Sequence, residues 1–385
     1  MSKSIIRVIR NRESLLLVCV LMQSVLTILQ TVLTDAFGFS EERANNFRVM
    51  AVATTMLPVI MLSFKKNVAS YLSWYIPFFV FLILTILRFP ENQAFAIGEA
   101  FKFTVPLVIP TIVFISNLSS VAKFEDYLYK ISWMQFGIML YYVFCIFSGK
   151  VIITGYNMSL SYALLLPALS LFVHEGIMSK VASIILFVIM LSLGSRTPIV
   201  VFLIYVFIDI ILKNRKSIVW LIAFVAFGST ALIALTSFLE SFGITSRFLF
   251  LLESEEGVFG HTSGRDEIYD FWLRVIGDNL LMGTGLFCDR TPKTPFCHNV
   301  FLEVFSNYGI VLGGFLFVWL LLSIKKAIVL SDEHNRLIII RYVIACFMPL
   351  FVSGSYLSNV NSALAMGLLI LCNRQNRAQK ASRKI

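Results

Sequence analysis

Charge is scarce in this chain: only 14% of its 385 residues are Asp, Glu, Lys or Arg, against about 25% in an ordinary soluble domain. That excludes a water-soluble enzyme and a disordered chain. Cysteine is sparse as well, with six in all, too few for a secreted domain stapled by disulfides. No glycine-rich phosphate loop of P-loop type is present, and no His/Cys cluster has zinc spacing. Nor are carboxylates grouped as an enzyme using cytosolic nucleotide sugars would need. If the chain is an enzyme, its activated substrate has to arrive already in the membrane.

What fills the sequence instead is apolar: 58% of residues are hydrophobic and the mean hydropathy is +0.84. A bilayer core of about 30 Å asks for a helix of roughly 17–25 apolar residues. Such runs fall at 14–33, 49–64, 68–87, 103–121, 131–148, 158–173, 181–194, 198–212, 217–238, 299–324, 337–353 and 356–372. The expectation is an all-α polytopic integral membrane protein of about twelve transmembrane helices, a single membrane domain over 1–385. The first run follows basic residues but lacks a small-x-small cleavage site, which predicts a retained anchor.

The formal charge of +10 follows the loops. Lys3, Arg7, Arg10, Arg12, Lys65, Lys66, Lys213, Arg215, Lys216 and the tail beyond Arg374 all fall on one side of the twelve runs. Lys/Arg excess marks the cytoplasm. Both termini are therefore expected in the cytoplasm, with the long 239–298 segment facing outward. The basic balance is a topology signal, and no nucleic-acid partner is implied.

That outward loop is the only long hydrophilic stretch, and long loops usually carry function. Within it, Ser263 followed by Asp266 starts a helix, and Ile268, Phe271, Trp272, Val275 and Ile276 repeat at helical spacing. The spacing predicts a short amphipathic helix over about 264–277, lying on the outer membrane surface. Arg265 sits in its first turn, beside free N–H groups and the positive end of the helix dipole. Two readings stand there: a phosphate site, or a simple ion pair with a carboxylate such as Glu267.

Further on, Cys288 and Cys297 bracket a turn with Pro292 and Pro295; a disulfide and two free thiols are both open. His298 opens the next span, where the helix dipole disfavours imidazolium and leaves a neutral ring able to take a proton. The alternative is a hydrogen-bonded interfacial histidine. Asn299, Glu303 and Asn307 form a polar stripe below it, and buried ionisable residues in a span are usually functional. Gly309 and Gly313 would let a neighbouring helix approach. In the turn Gly194-Ser195-Arg196-Thr197-Pro198, Thr197 can cap and Pro198 suits the first helical position. Arg196 then lies on the outer side, as a functional group or as a snorkelling arginine. The polar run from Ser353 to Asn361 is either sugar-facing or helix-packing.

The ordered series Ser263-Gly264-Arg265, Trp272, Gly283-x-Gly285, His298-Asn299 and Gly309 resembles the signature segment of the O-antigen ligase/polymerase superfamily, and Gly194-Ser195-Arg196 resembles its inter-span arginine. The span count and the single large loop are similar over most of the chain. Asn279-Leu280-Leu281-Met282 stands where a proline is common in that family. The resemblance implies a GT-C-like glycosyltransferase architecture, in the bacterial inner membrane with a periplasmic site, acting in lipopolysaccharide biosynthesis. The implied substrate is an oligosaccharide linked by diphosphate to undecaprenol, and a chain-length regulator protein is an implied partner beside the membrane lipids. Arg196 and Arg265 would hold the diphosphate, and His298 with Arg265 would be catalytic. Asn299, Glu303 and Tyr269 would support them, with no metal and no cofactor. The stretch from His298 to Gly309 looks more like a polymerase, which moves the chain onto a new repeat unit, than a ligase, which moves it onto lipid A core. A transporter for lipid-linked sugars is the alternative from another class, though no internal repeat of the kind transporters show is visible.

Overall fold

The computed structural model describes residues 3–151, 157–193, 195–213 and 265–382. The expected ninth span, Gly194, Ser263, Gly264 and the rest of 239–262 lie outside them. Every regular element among the described residues is helical. Helices satisfy their own backbone hydrogen bonds, which is what a chain in lipid requires. Among the described residues, seven helical segments are long and apolar enough to cross a membrane, including Arg12–Phe37, Val68–Arg88 and Val300–Leu330. The described residues are thus all-α, with the constitution of a multi-pass membrane protein.

In chain order the helices are α1 (Lys3–Phe37), α2 (Glu41–Phe64), α3 (Val68–Arg88), α4 (Gln93–Glu99), α5 (Ile109–Ser116), α6 (Val121–Phe147), α7 (Met158–Val173), α8 (Ile177–Ser192), α9 (Arg196–Lys213), α10 (Arg265–Asp278), α11 (Val300–Leu330), α12 (Glu333–Phe347) and α13 (Val360–Ser382). The expected fourth span, 103–121, is helical only as far as Ser116 and is not uniform. A π-helical stretch, Ala100–Val108, joins α4 to α5 and contains Pro106. Proline removes an N–H and crowds the preceding turn, and a wider turn accommodates that. α7 and α8 have 16 residues each, a rise of about 24 Å, so they fall short of a full hydrocarbon core. α13 begins four residues later than the expected twelfth span, and its second half carries Arg374 and Arg377.

The chain divides into two compact units: Met1–Val20, Ala53–Phe124 and Thr262–Ile385 form the first, Leu21–Val52 and Glu125–His261 the second. In the first, α13 lies against α5 so closely that a Cβ on Gly367 would stand 2.7 Å from the Ile115 side chain. The Thr104 hydroxyl donates to the Leu357 carbonyl at 2.7 Å, and Lys123 pairs with Glu13 at 3.0 Å. α10, α12 and α13 all pack on α11. In the second unit α7 and α8 pair, with the Ser183 hydroxyl donating to the Ala168 carbonyl at 2.7 Å.

Candidate functional site

α10 occupies Arg265–Asp278, with Asp266 and Glu267 in its first turn beside Arg265. Its apolar face does not lie bare on a membrane surface. Trp272, 1% exposed, is packed with Cys288 and Cys297, and Ile268, Phe271, Val275 and Leu302 close around them. The indole Nε1 donates to the Pro295 carbonyl at 2.9 Å. The amphipathic pattern was a true signal of burial at Trp272, which Cys288, Cys297 and Leu302 of α11 cover. That matters for function, because it holds the start of α10 against the start of α11.

The loop between them is held by α11 itself. Gly309, at φ +76, breaks that helix, so the carbonyls of its outer turns lose their in-helix donors. Thr284 N–H donates to the Ser306 carbonyl at 2.6 Å, Gly285 N–H to the Asn307 carbonyl at 3.2 Å, and Ile310 N–H to the Leu280 carbonyl at 2.7 Å. The close approach at Gly309 is therefore made by the 280–285 loop and not by a neighbouring helix. Gly313 instead meets the Phe305 side chain of its own helix. Arg88, at the end of α3, ties down the same loop by donating to the Gly283 carbonyl at 3.0 Å.

Next comes a short 3-10 turn, Cys288–Arg290. Asp289, 2% exposed, accepts from Cys297 N–H at 3.3 Å and stands 3.8 Å from the Arg290 Nε. Burial pushes its carboxyl up, against the pull of Arg290. The Arg290 guanidinium lies over the Phe296 ring at 4.0 Å, and that ring meets His298 edge to face at 4.5 Å. Cys288 and Cys297 are free thiols that both point at the Ser306 hydroxyl, at 3.6 and 4.0 Å. Burial raises the Cys288 thiol to about 12.

His298 occupies the left-handed region at φ +52. A non-glycine residue held there stores local strain, which tends to cluster at functional sites. Burial first, then the positive charges of Arg265 and Arg290, lowers its pKa from the ordinary 6.5. Its Nδ1 is buried without a hydrogen-bond partner among the described residues. An imidazole with an unpartnered nitrogen thus stands just before α11, across the Phe296 ring from the Arg290 guanidinium and within electrostatic reach of Arg265 at the start of α10. Such an arrangement favours an anion and can accept a proton.

The supporting residues divide. Asn299 caps α11, its side-chain oxygen accepting from Phe301 N–H at 2.9 Å while its amide donates to the Phe351 carbonyl at 3.1 Å. Glu303, 1% exposed, accepts from the Ser355 hydroxyl and from Tyr356 N–H. Asn307 donates to the Tyr356 hydroxyl at 2.9 Å. The whole stripe fastens α11 to the 351–356 segment that precedes α13. Tyr269, one turn after Arg265, is half-buried. Arg196, the first residue of α9, belongs to the second unit. Its helix starts one residue before the expected Thr197 cap, leaving Pro198 in the first turn, where its missing N–H costs nothing.

Arg290 is the site residue that spacing alone did not single out. Its role depends on a turn that brings it onto Phe296, and no periodicity announces that. No family model matches this chain, and no curated protein is significantly similar to it. The functional case therefore rests on the motif residues and their geometry.

Proposed function

We propose that this protein is a metal-independent glycosyltransferase that uses a polyprenyl-diphosphate sugar, and that it polymerises lipid-linked O-antigen repeat units. The growing glycan would leave undecaprenyl diphosphate and join a hydroxyl at the non-reducing end of a new lipid-linked unit, on the periplasmic side of the inner membrane. The observation that carries this reading is His298, held at φ +52 with its Nδ1 buried and unpartnered, beside the Phe296 ring that also carries the Arg290 guanidinium. In the step, the acceptor oxygen bonds to the anomeric carbon as the bond from that carbon to the diphosphate breaks. His298 takes the hydroxyl proton, and the guanidinium groups neutralise the departing diphosphate. Arg265 is assigned to the diphosphate, with Arg290 added beside His298; Arg196, which the resemblance also gives to the diphosphate, belongs to the second unit. Asn299, Glu303 and Tyr269 support the frame that presents them.

Purified protein incubated with a lipid-diphosphate repeat unit should yield longer glycans on lipid. Arg265→Ala and His298→Ala should each lower the rate at least a hundredfold, the range of one charge-stabilising or proton-transferring group. Full activity in both folded variants would refute the site. Products appearing only on lipid A core would make the enzyme a ligase, and movement of lipid-linked sugar across liposomes without new bonds would make it a transporter.

A further inference from the structure

The second unit contains a cavity of about 560 Å³, inside the roughly 300–1,000 Å³ range of small-molecule sites. Its lining is unlike that of most such sites, which are largely apolar. From α1 come Thr27, Gln30, Thr31, Thr34 and Asp35. Their spacing of three and four places them on one face of the last turns of that helix. From the first turns of α2 come Glu41, Glu42, Asn45 and Arg48, again at helical spacing, and the start of α7 adds Asn157 and Ser159. Every lining side chain is polar, in a chain that is 58% hydrophobic.

Part of this set is held in place. The Tyr142 hydroxyl donates to Asp35 at 2.7 Å, Arg48 donates to Asn45 at 3.3 Å, and Asn157 accepts from Leu160 N–H at 3.0 Å. Gln30 and Thr31 also line the cavity and are half-buried.

Most of the lining consists of neutral hydroxyls and amides, which both donate and accept. Three carboxylates against one guanidinium repel a phosphate. A lipid tail or an aromatic ring would leave these groups unpaired. We propose that the cavity is a saccharide-binding site for neutral or amine-bearing sugars, distinct in chemistry from the cationic site of the first unit.

The test is an array of immobilised neutral, amino and acidic oligosaccharides, probed with the full-length protein in nanodiscs. At least one neutral or amino glycan should be retained and no acidic one. Gln30→Leu combined with Thr31→Val should weaken retention by about tenfold or more, as expected of two lost neutral hydrogen bonds. Gel filtration and thermal melting confirm that the variant is folded. Retention should persist in Arg265→Ala, which tells this cavity from the diphosphate site. No retained glycan, retention of acidic glycans only, unchanged binding by the double variant, or loss of binding in Arg265→Ala would each overturn the proposal.

Discussion

Gly283 is where the loop that carries the site is most sensitive to one methyl group. At φ +62, a Cβ would stand 2.4 Å from the Ser306 carbonyl oxygen and 2.7 Å from Gly309 N. Alanine would meet two costs. Left-handed backbone costs a non-glycine residue roughly 1–2 kcal/mol, and a forced backbone shift adds about 1–3 kcal/mol. The contacts are backbone atoms on a broken helix already engaged by Thr284 and Gly285, so no side chain can swing away. Gly283→Ala should therefore destabilise by about 2–5 kcal/mol and displace the Cys288–His298 segment, lowering activity as well. Gly314→Ala is the opposite case: its Cβ meets nothing within 4 Å, and a helix gains up to about 1 kcal/mol from the change. Thermal unfolding of both variants in the same detergent gives the comparison. A Gly283→Ala protein that melts with the wild type would refute this account of the loop.

The rate should rise with pH through a midpoint below 6.5, because His298 acts as the free base and burial with two cations depresses its pKa. Arg290→Gln removes one of those cations, so the midpoint should move upward; a downward move or no move would be contrary. Glu303→Leu leaves the Ser355 hydroxyl and the Tyr356 N–H buried without an acceptor. It should cost about 2–6 kcal/mol at roughly 1–3 kcal/mol per orphaned group, while Glu303→Gln keeps most of the stability and activity in the same melts and assays. Cys288 and Cys297, at 4% and 1% exposure with thiols raised by burial, should resist maleimide in the folded protein and react on unfolding. Rapid labelling in the native state would contradict their burial.

Helical class was legible from composition, since a hydrophobic chain with so few charges can satisfy its backbone only within helices or a closed barrel. The location of α10 was legible too, because helical periodicity is local: Ile268, Phe271, Trp272, Val275 and Ile276 share a face whatever covers them. So were Arg265 and His298, each marked by its place at a helix start. Tertiary packing decided the rest. Pattern tells that a face is buried but not by what, and Trp272 turned out to meet Cys288 and Cys297 rather than lipid. The stripe of Asn299, Glu303 and Asn307 could equally have lined a pathway; it became a seam because the 351–356 segment, some fifty residues away in sequence, supplies matching donors and acceptors. Arg290 joined His298 only because a 3-10 turn and Phe296 lie between them. Local spacing is written in neighbouring residues, whereas the partner of a buried polar group is chosen by chain segments that meet only after folding.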